Sequence, residues 1–141
     1  MTTVIAIILF LVFLFLASMH IYWALGGRWG RDAAVPAKDN NAKLFTPGPL
    51  PTLIVASGLL LLGFIVLVSG KLIAVQLPAW IDSYALWIIA VVFVFRAIGD
   101  FKYVGFFKKI TKTKFAQNDT KYYSPLCIVI GILAIVLALY K

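Results

Sequence analysis

"VIAIILFLVFLFLASMHIYWAL", residues 4–25, holds no charged side chain and is broken only by Ser18 and His20. A helix needs roughly 20 apolar residues, each rising 1.5 Å, to cross the hydrocarbon of a bilayer. This stretch has that length. A secretory signal is the rival reading. Its apolar core is too long for one, no basic residue precedes it, and no small-x-small cleavage site follows. It is therefore read as an uncleaved span.

Three more runs of the same kind follow at 52–70, 78–99 and 125–140. The expected fold is all-α: a four-helix transmembrane bundle forming one integral membrane domain over residues 1–141. Residues 71–77 are the only link between the second and third spans, which predicts that those two are antiparallel neighbours.

Composition agrees. Of 141 residues, 63% are hydrophobic, and the mean hydropathy is +1.02. Soluble domains are about half apolar; the excess here needs lipid to face. Charged residues are only 13%, with no glutamate, yet the net charge is +8. The lysines border apolar runs instead of forming one basic face with a nucleic-acid motif, so no nucleic-acid partner is expected. Cys127 is the only cysteine and reads as a small core residue, with a reactive thiol as the rival. One His and one Cys are too few for a structural zinc site. No metal and no cofactor is implied.

Sidedness follows from the basic residues. Arg28, Arg31, Lys38 and Lys43 lie in the connection 26–51. Lys102, Lys108, Lys109, Lys112, Lys114 and Lys121 lie in 102–124. The opposite side has Lys71 and Lys141. The positive-inside rule predicts both long connections in the cytoplasm and both termini outside. Trp80, Tyr84 and Trp87 then suit an outer aromatic belt; Tyr22, Trp23 and Trp29 suit an inner one. Within the first connection, "TPGPLP" (46–51) is expected to resist regular structure. "KKITKTKFAQNDTK" (108–121) is a loop or a short surface helix. The glycines of "ALGGRWG" (24–30) should end the first helix.

The polar residues gather at the cytoplasmic ends. His20, Tyr22 and Trp23 close the first span, Arg96 and Asp100 the third, and Tyr122, Tyr123 and Ser124 precede the fourth. Ser124-Pro125 has the form of an N-cap and first helical residue. From there to Tyr140 is only about 24 Å of helix, short of about 30 Å of hydrocarbon. This predicts a helix start sunk in the inner leaflet, its free N–H groups favouring an anion, with the start of the second span beside it. Asp100 is four residues beyond Arg96, on the same helical face. The pair is either a structural salt bridge or a device by which Asp100 orients Arg96 toward an acidic group. His20 is a bundle-interior histidine or a proton-exchanging group. Gly58, Gly63, Ser69 and Gly70 would let a neighbour approach the second span. Lys71 and Asp82 could pair across the outer connection. The aromatics and lysines of "DFKYVGFFKK" (100–109) suit an interface with anionic lipid.

"HIYWALGGRWG" (20–30), "RAIGDFKYVGFFKK" (96–109) and "FAQNDTKYYSPLC" (115–127), in that order, resemble a bacterial family of small four-span membrane proteins, domain of unknown function number 3995. The resemblance covers nearly the whole chain. It implies four spans in a bacterial cytoplasmic (inner) membrane and brings no activity. The motif positions it implies are His20, Tyr22, Trp23, Gly26, Gly27, Trp29, Arg96, Gly99, Asp100, Tyr103, Asp119, Tyr123, Ser124 and Pro125.

The expected function is binding of an amphipathic anion, a lipid phosphate or carboxylate, in a polar pocket at the cytoplasmic helix ends. The ligand-binding candidates are His20, Tyr22, Trp23, Arg96, Asp100, Tyr103, Asp119, Tyr123 and Ser124. One alternative is a membrane enzyme acting on a lipid or isoprenoid, with His20 as acid or base and Asp100 or Asp119 as its carboxylate partner. Another is a small transporter or accessory subunit. The lipid bilayer is the expected partner, with anionic lipid, a homo-oligomer or a larger membrane protein left open.

Overall fold

A computed structural model describes residues 1–40 and 42–141. Its long helices are α1 (Thr2–Ala24), α3 (Pro49–Ser69), α4 (Ala79–Ile98) and α6 (Ser124–Tyr140); α2 (Arg31–Ala34) and α5 (Lys114–Asn118) are short. A π-helical turn, Asp119–Tyr123, joins α5 to α6, giving one helical run over Lys114–Tyr140. No strand forms among the described residues; the nearest thing is an isolated bridge between Ala37 and Lys43. Four helices are long and apolar enough to cross a membrane. The chain is a multi-pass membrane protein of the all-α class, and its apolar outer faces contact lipid.

Each span buries one narrow stripe and gives the rest of its surface to lipid. On α1 the stripe is Ala6, Leu9, Phe13 and Ala17; on α6 it is Cys127, Ile130, Ala134 and Leu137. Steps of three and four residues keep such a stripe on one face. Lipid is as apolar as leucine, so close packing rather than water exclusion joins membrane helices, and small residues permit it. Gly63 lies against Phe10 and Phe13, and Gly70 against Ala6, where α3 packs on α1. Gly58, read with them in the sequence, faces open space. Gly131 admits Val94 where α6 packs on α4.

The packing therefore makes two tight pairs, α1 with α3 and α4 with α6. The pairs meet through α1 and α6, and through the rings of Phe13 and Phe93, 5.6 Å apart. The second and third spans, expected to be antiparallel neighbours, do touch, but only sparsely. Small residues took the second span to the first instead. At the end with the short connection, Asp82 pairs with Lys141 at 2.9 Å, not with Lys71. That bond closes the α4–α6 pair.

Two helix starts also differ from expectation. "TPGPLP" does not exclude regular structure, because Pro49 opens α3 and Pro51 lies in its first turn. Proline suits these positions, where an N–H would have no intrahelical acceptor. The fourth helical run begins at Lys114, not at Ser124, with Thr113 Oγ1 accepting from the Ala116 N–H at 3.1 Å.

Candidate functional site

Pro125 governs the approach to the site. It has no N–H for the carbonyl four residues back, and its ring crowds that carbonyl. The helix widens just before it into the π turn, where the Ser124 N–H reaches back five residues to the Asp119 carbonyl. Ser124 is thus a helix-interior residue and not an N-cap. Its expected free N–H groups are taken up within the run.

The start of α3 offers little more to an anion. Pro49 and Pro51 have no N–H, and the Thr52 N–H bonds to the Gly48 carbonyl. Neither helix start supplies the cluster of free donors that the sequence suggested.

The charge that remains comes from side chains. Asp119 is fully buried. Its Oδ1 accepts from Arg96 Nη2 at 2.9 Å; its Oδ2 accepts from the Gly105 N–H at 2.7 Å and from Lys108 Nζ at 3.1 Å. Lys108, also buried, donates further to the Gly105 carbonyl and to Thr120 Oγ1. Two cations around one carboxylate leave a net charge of +1. Lys108 is fully used. Arg96 is not: its Nη1 is buried and has no partner.

Asp100 does not pair with Arg96. It turns away and accepts from the N–H groups of Lys102, Tyr103 and Val104 at 2.7–2.9 Å. Desolvation is the largest single influence and would raise the Asp100 carboxyl, but the three bonds together outweigh it and hold the group below its usual range. Gly99 and Gly105, both at positive φ, bring the two ends of this loop together. A Cβ on Gly99 would meet the Val104 carbonyl oxygen at 1.7 Å, and one on Gly105 would meet the Ile98 oxygen at 2.3 Å. Asp100 thus shapes a compact loop, and the loop delivers Gly105 and Lys108 to Asp119.

Above the cluster lies a half-open cleft of about 390 Å³ between the two helix pairs. Leu16, Leu59, Phe93, Leu126 and Ile130 line its deeper part. His20, Trp23, Arg96 and Tyr123 line its polar end, with Cys127 in the wall. A second lobe of about 270 Å³ shares His20, Trp23, Ala34 and Val55 and continues past Arg31, Phe45, Pro47 and Thr52. His20 Nδ1 lies 2.7 Å from the Leu16 carbonyl. It must carry the proton there, which leaves Nε2 as the acceptor of the neutral ring. Trp23 stacks edge-on against His20 and donates its indole N–H to the Trp29 carbonyl. Tyr123 donates to the Ala33 carbonyl at 3.2 Å and so ties the first connection to α6. Neither Asp100 nor Asp119 bonds His20, so the acid–base pairing considered for an enzyme is not assembled. No group of three or more metal-ligating side chains occurs among the described residues.

Residues 13–134 match a family described as protein of unknown function (DUF3995). The chain belongs to this family. No curated protein and no solved structure matches it.

In this DUF3995 chain, four of the nine residues singled out in the sequence, His20, Trp23, Arg96 and Tyr123, share the cleft. Asp119 stands behind Arg96 and holds it. The other four lie elsewhere. Tyr22 is exposed and packs its ring on Gly27. Asp100 and Tyr103 belong to the capped loop, where Lys102 lies over the Tyr103 ring. Ser124 is buried and does not line the cleft. The sequence reading missed Lys108 as a buried partner, and Phe93, Phe115 and Arg31 as wall residues. The buried positions of the run continue backward from Cys127 through Ser124 and Asp119 to Ala116, with a five-residue step at the π turn that α-helical spacing does not predict.

Proposed function

We propose that this protein binds an amphipathic anion, its acidic group on Arg96 and its apolar part in the cleft between the helix pairs. The observation that carries this is Arg96 Nη1, a buried cationic donor without an acceptor at the polar end of an otherwise apolar cleft. Leaving such a donor unpaired costs about 1–3 kcal/mol or more, and a phosphate or carboxylate oxygen would remove that cost with charge-assisted bonds. The local excess of +1 favours the same ligand. Asp119 fixes the guanidinium, while His20 Nε2 is available to a hydroxyl or protonated acid on the headgroup. The expected setting is a bacterial inner membrane with both long connections in the cytoplasm. The basic residues in those connections support that sidedness.

The test is native mass spectrometry of the purified protein beside Arg96→Ala and Lys102→Gln. An anionic lipid or metabolite should accompany the parent and Lys102→Gln and be absent from Arg96→Ala. Equal ligand content in all three would overturn the proposal.

A further inference from the structure

The ligand's source can be argued from how polarity is graded along the cleft. Leu16 lies one turn deeper than His20, Leu59 one turn deeper than Val55, Phe93 just under one turn deeper than Arg96, and Ile130 about two turns deeper than Tyr123. The polar groups sit at the end of the bundle with the long connections, and the apolar wall runs toward its middle. A lipid in that leaflet has the same layout, headgroup outward and chain inward. A molecule arranged this way can enter without inverting and without leaving the bilayer.

The packing leaves a way in. α1 packs tightly on α3 and α4 on α6, and the pairs touch through α1 and α6, but α3 and α4 meet only sparsely. Val55 lines both lobes from α3 and is nearly half exposed. On α4, Val91, Val92 and Phe95, beside the wall residues Phe93 and Arg96, are exposed. The thinner of the two seams, between α3 and α4, is then the lateral mouth that would face lipid. In the cleft wall, Arg96 carries its unpartnered Nη1 on a cluster with net positive charge.

We infer that the occupant is an anionic membrane lipid that slides in sideways between α3 and α4, its acid on Arg96 and one chain against Phe93, Leu126 and Ile130. This rests on the binding reading above and adds the source and the route. A soluble anion would need neither the apolar wall nor the lateral mouth. The smaller lobe beside Arg31 gives the headgroup room beyond a bare phosphate.

Trp23 is a built-in reporter. The full-length chain carrying Trp29→Phe, Trp80→Phe and Trp87→Phe keeps only Trp23, which lines both lobes. In nanodiscs of phosphatidylcholine, brominated-chain phosphatidylglycerol added as a minor component should quench Trp23 saturably. The same fraction of brominated phosphatidylcholine should quench it less, and inorganic phosphate should not reverse the effect. Arg96→Gln should raise the half-quenching lipid fraction about tenfold or more, the loss of one charge-assisted contact. Val55→Phe, which narrows the mouth and leaves Arg96 in place, should also weaken quenching. Arg96→Lys should lie between parent and Arg96→Gln, and it serves if the glutamine variant fails to fold.

If inorganic phosphate shifts Trp23 emission in an Arg96-dependent way while the two brominated lipids quench alike, the anion site stands and the lipid route falls. If neither phosphate nor lipid acts through Arg96, both fall.

Discussion

Arg96 and Asp119 are 23 residues apart in sequence and joined by a 2.9 Å bond from Nη2 to Oδ1. The carboxylate is fully buried, and the Arg96 side chain as a whole is about one-third exposed. One partner is therefore fixed while the other still faces the cleft. Such a pair is a mount: the buried acid holds a cation in the cleft wall whose Nη1 is left without an acceptor.

Removing the acid should cost far more than removing a surface charge. Asp119→Ala leaves Lys108 buried without its counter-charge and frees the Gly105 N–H as well. Breaking a buried pair from one side destabilises by about 3–5 kcal/mol. Thermal unfolding in detergent should show a large drop for Asp119→Ala and a smaller one when Lys108→Met is added. The two changes should thus couple by about 1 kcal/mol or more. Strict additivity would mean that the contact contributes little.

The loop after α4 makes a second prediction, from backbone alone. Gly99→Ala puts a Cβ on the Val104 carbonyl at a residue with φ of +87°. A positive φ with extended ψ alone costs a non-glycine residue about 1–3 kcal/mol, before any clash. Gly58→Ala on α3 meets nothing within 4 Å and should be neutral or slightly stabilising. Unfolding midpoints of the two variants check this. A Gly99→Ala protein as stable as Gly58→Ala would show that the loop can open without loss.

These cases show what the sequence made legible. Four spans were readable because each is a long, predominantly apolar run, and His20, Trp23 and Arg96 stood out as the rare polar or amphipathic groups at span ends. The Arg96–Asp119 bond was not readable. Asp100 lies at the helical spacing that normally marks a partner, and only the loop fold reveals that its oxygen is taken by three N–H groups. Lys108 is one of six lysines in its connection, and nothing local separates the buried one from the others. Ser124-Pro125 has the form of a helix start, yet a π turn carries the helix through it. Hydropathy identifies spans; it carries no information on a polar run that folds back onto their ends.

Acid should loosen the loop. Burial, the largest single influence, would raise the Asp100 carboxyl above its ordinary 3.8, but its charged form collects the N–H groups of Val104, Tyr103 and Lys102, which together hold it lower. For a carboxyl with a depressed folded-state value, the stabilisation is complete above the unfolded value. It is lost as pH falls through the folded one. The loop should therefore keep its protection near neutrality and lose it below 3.8. Asp100→Asn keeps an acceptor oxygen without a proton to gain, so it should remove this acid dependence. Hydrogen exchange at the Tyr103 and Val104 amides, followed downward in pH, reads both effects. Identical acid profiles for parent and variant would assign the dependence to another group.

Pro125 gives the most direct test of how the site is aimed. The missing N–H at 125 and the bulk of its ring account for the π turn at Asp119–Tyr123, and that turn sets the rotation of everything before it. Pro125→Ala restores a donor that can reach the Lys121 carbonyl, so the turn can tighten to an α-helix. Drawing in one residue turns the preceding segment by about 100° relative to α6, since 3.6 residues make a full turn. Asp119 would then leave Arg96, and Gly105 and Lys108 would lose their acceptor. The variant should gain a slowly exchanging amide at position 125. It should also lose stability despite removing a helix-interior proline, a change that ordinarily stabilises by about 3 kcal/mol. A protected amide at 125 with unchanged or higher stability would show that Asp119 does not depend on the π turn for its bond to Arg96.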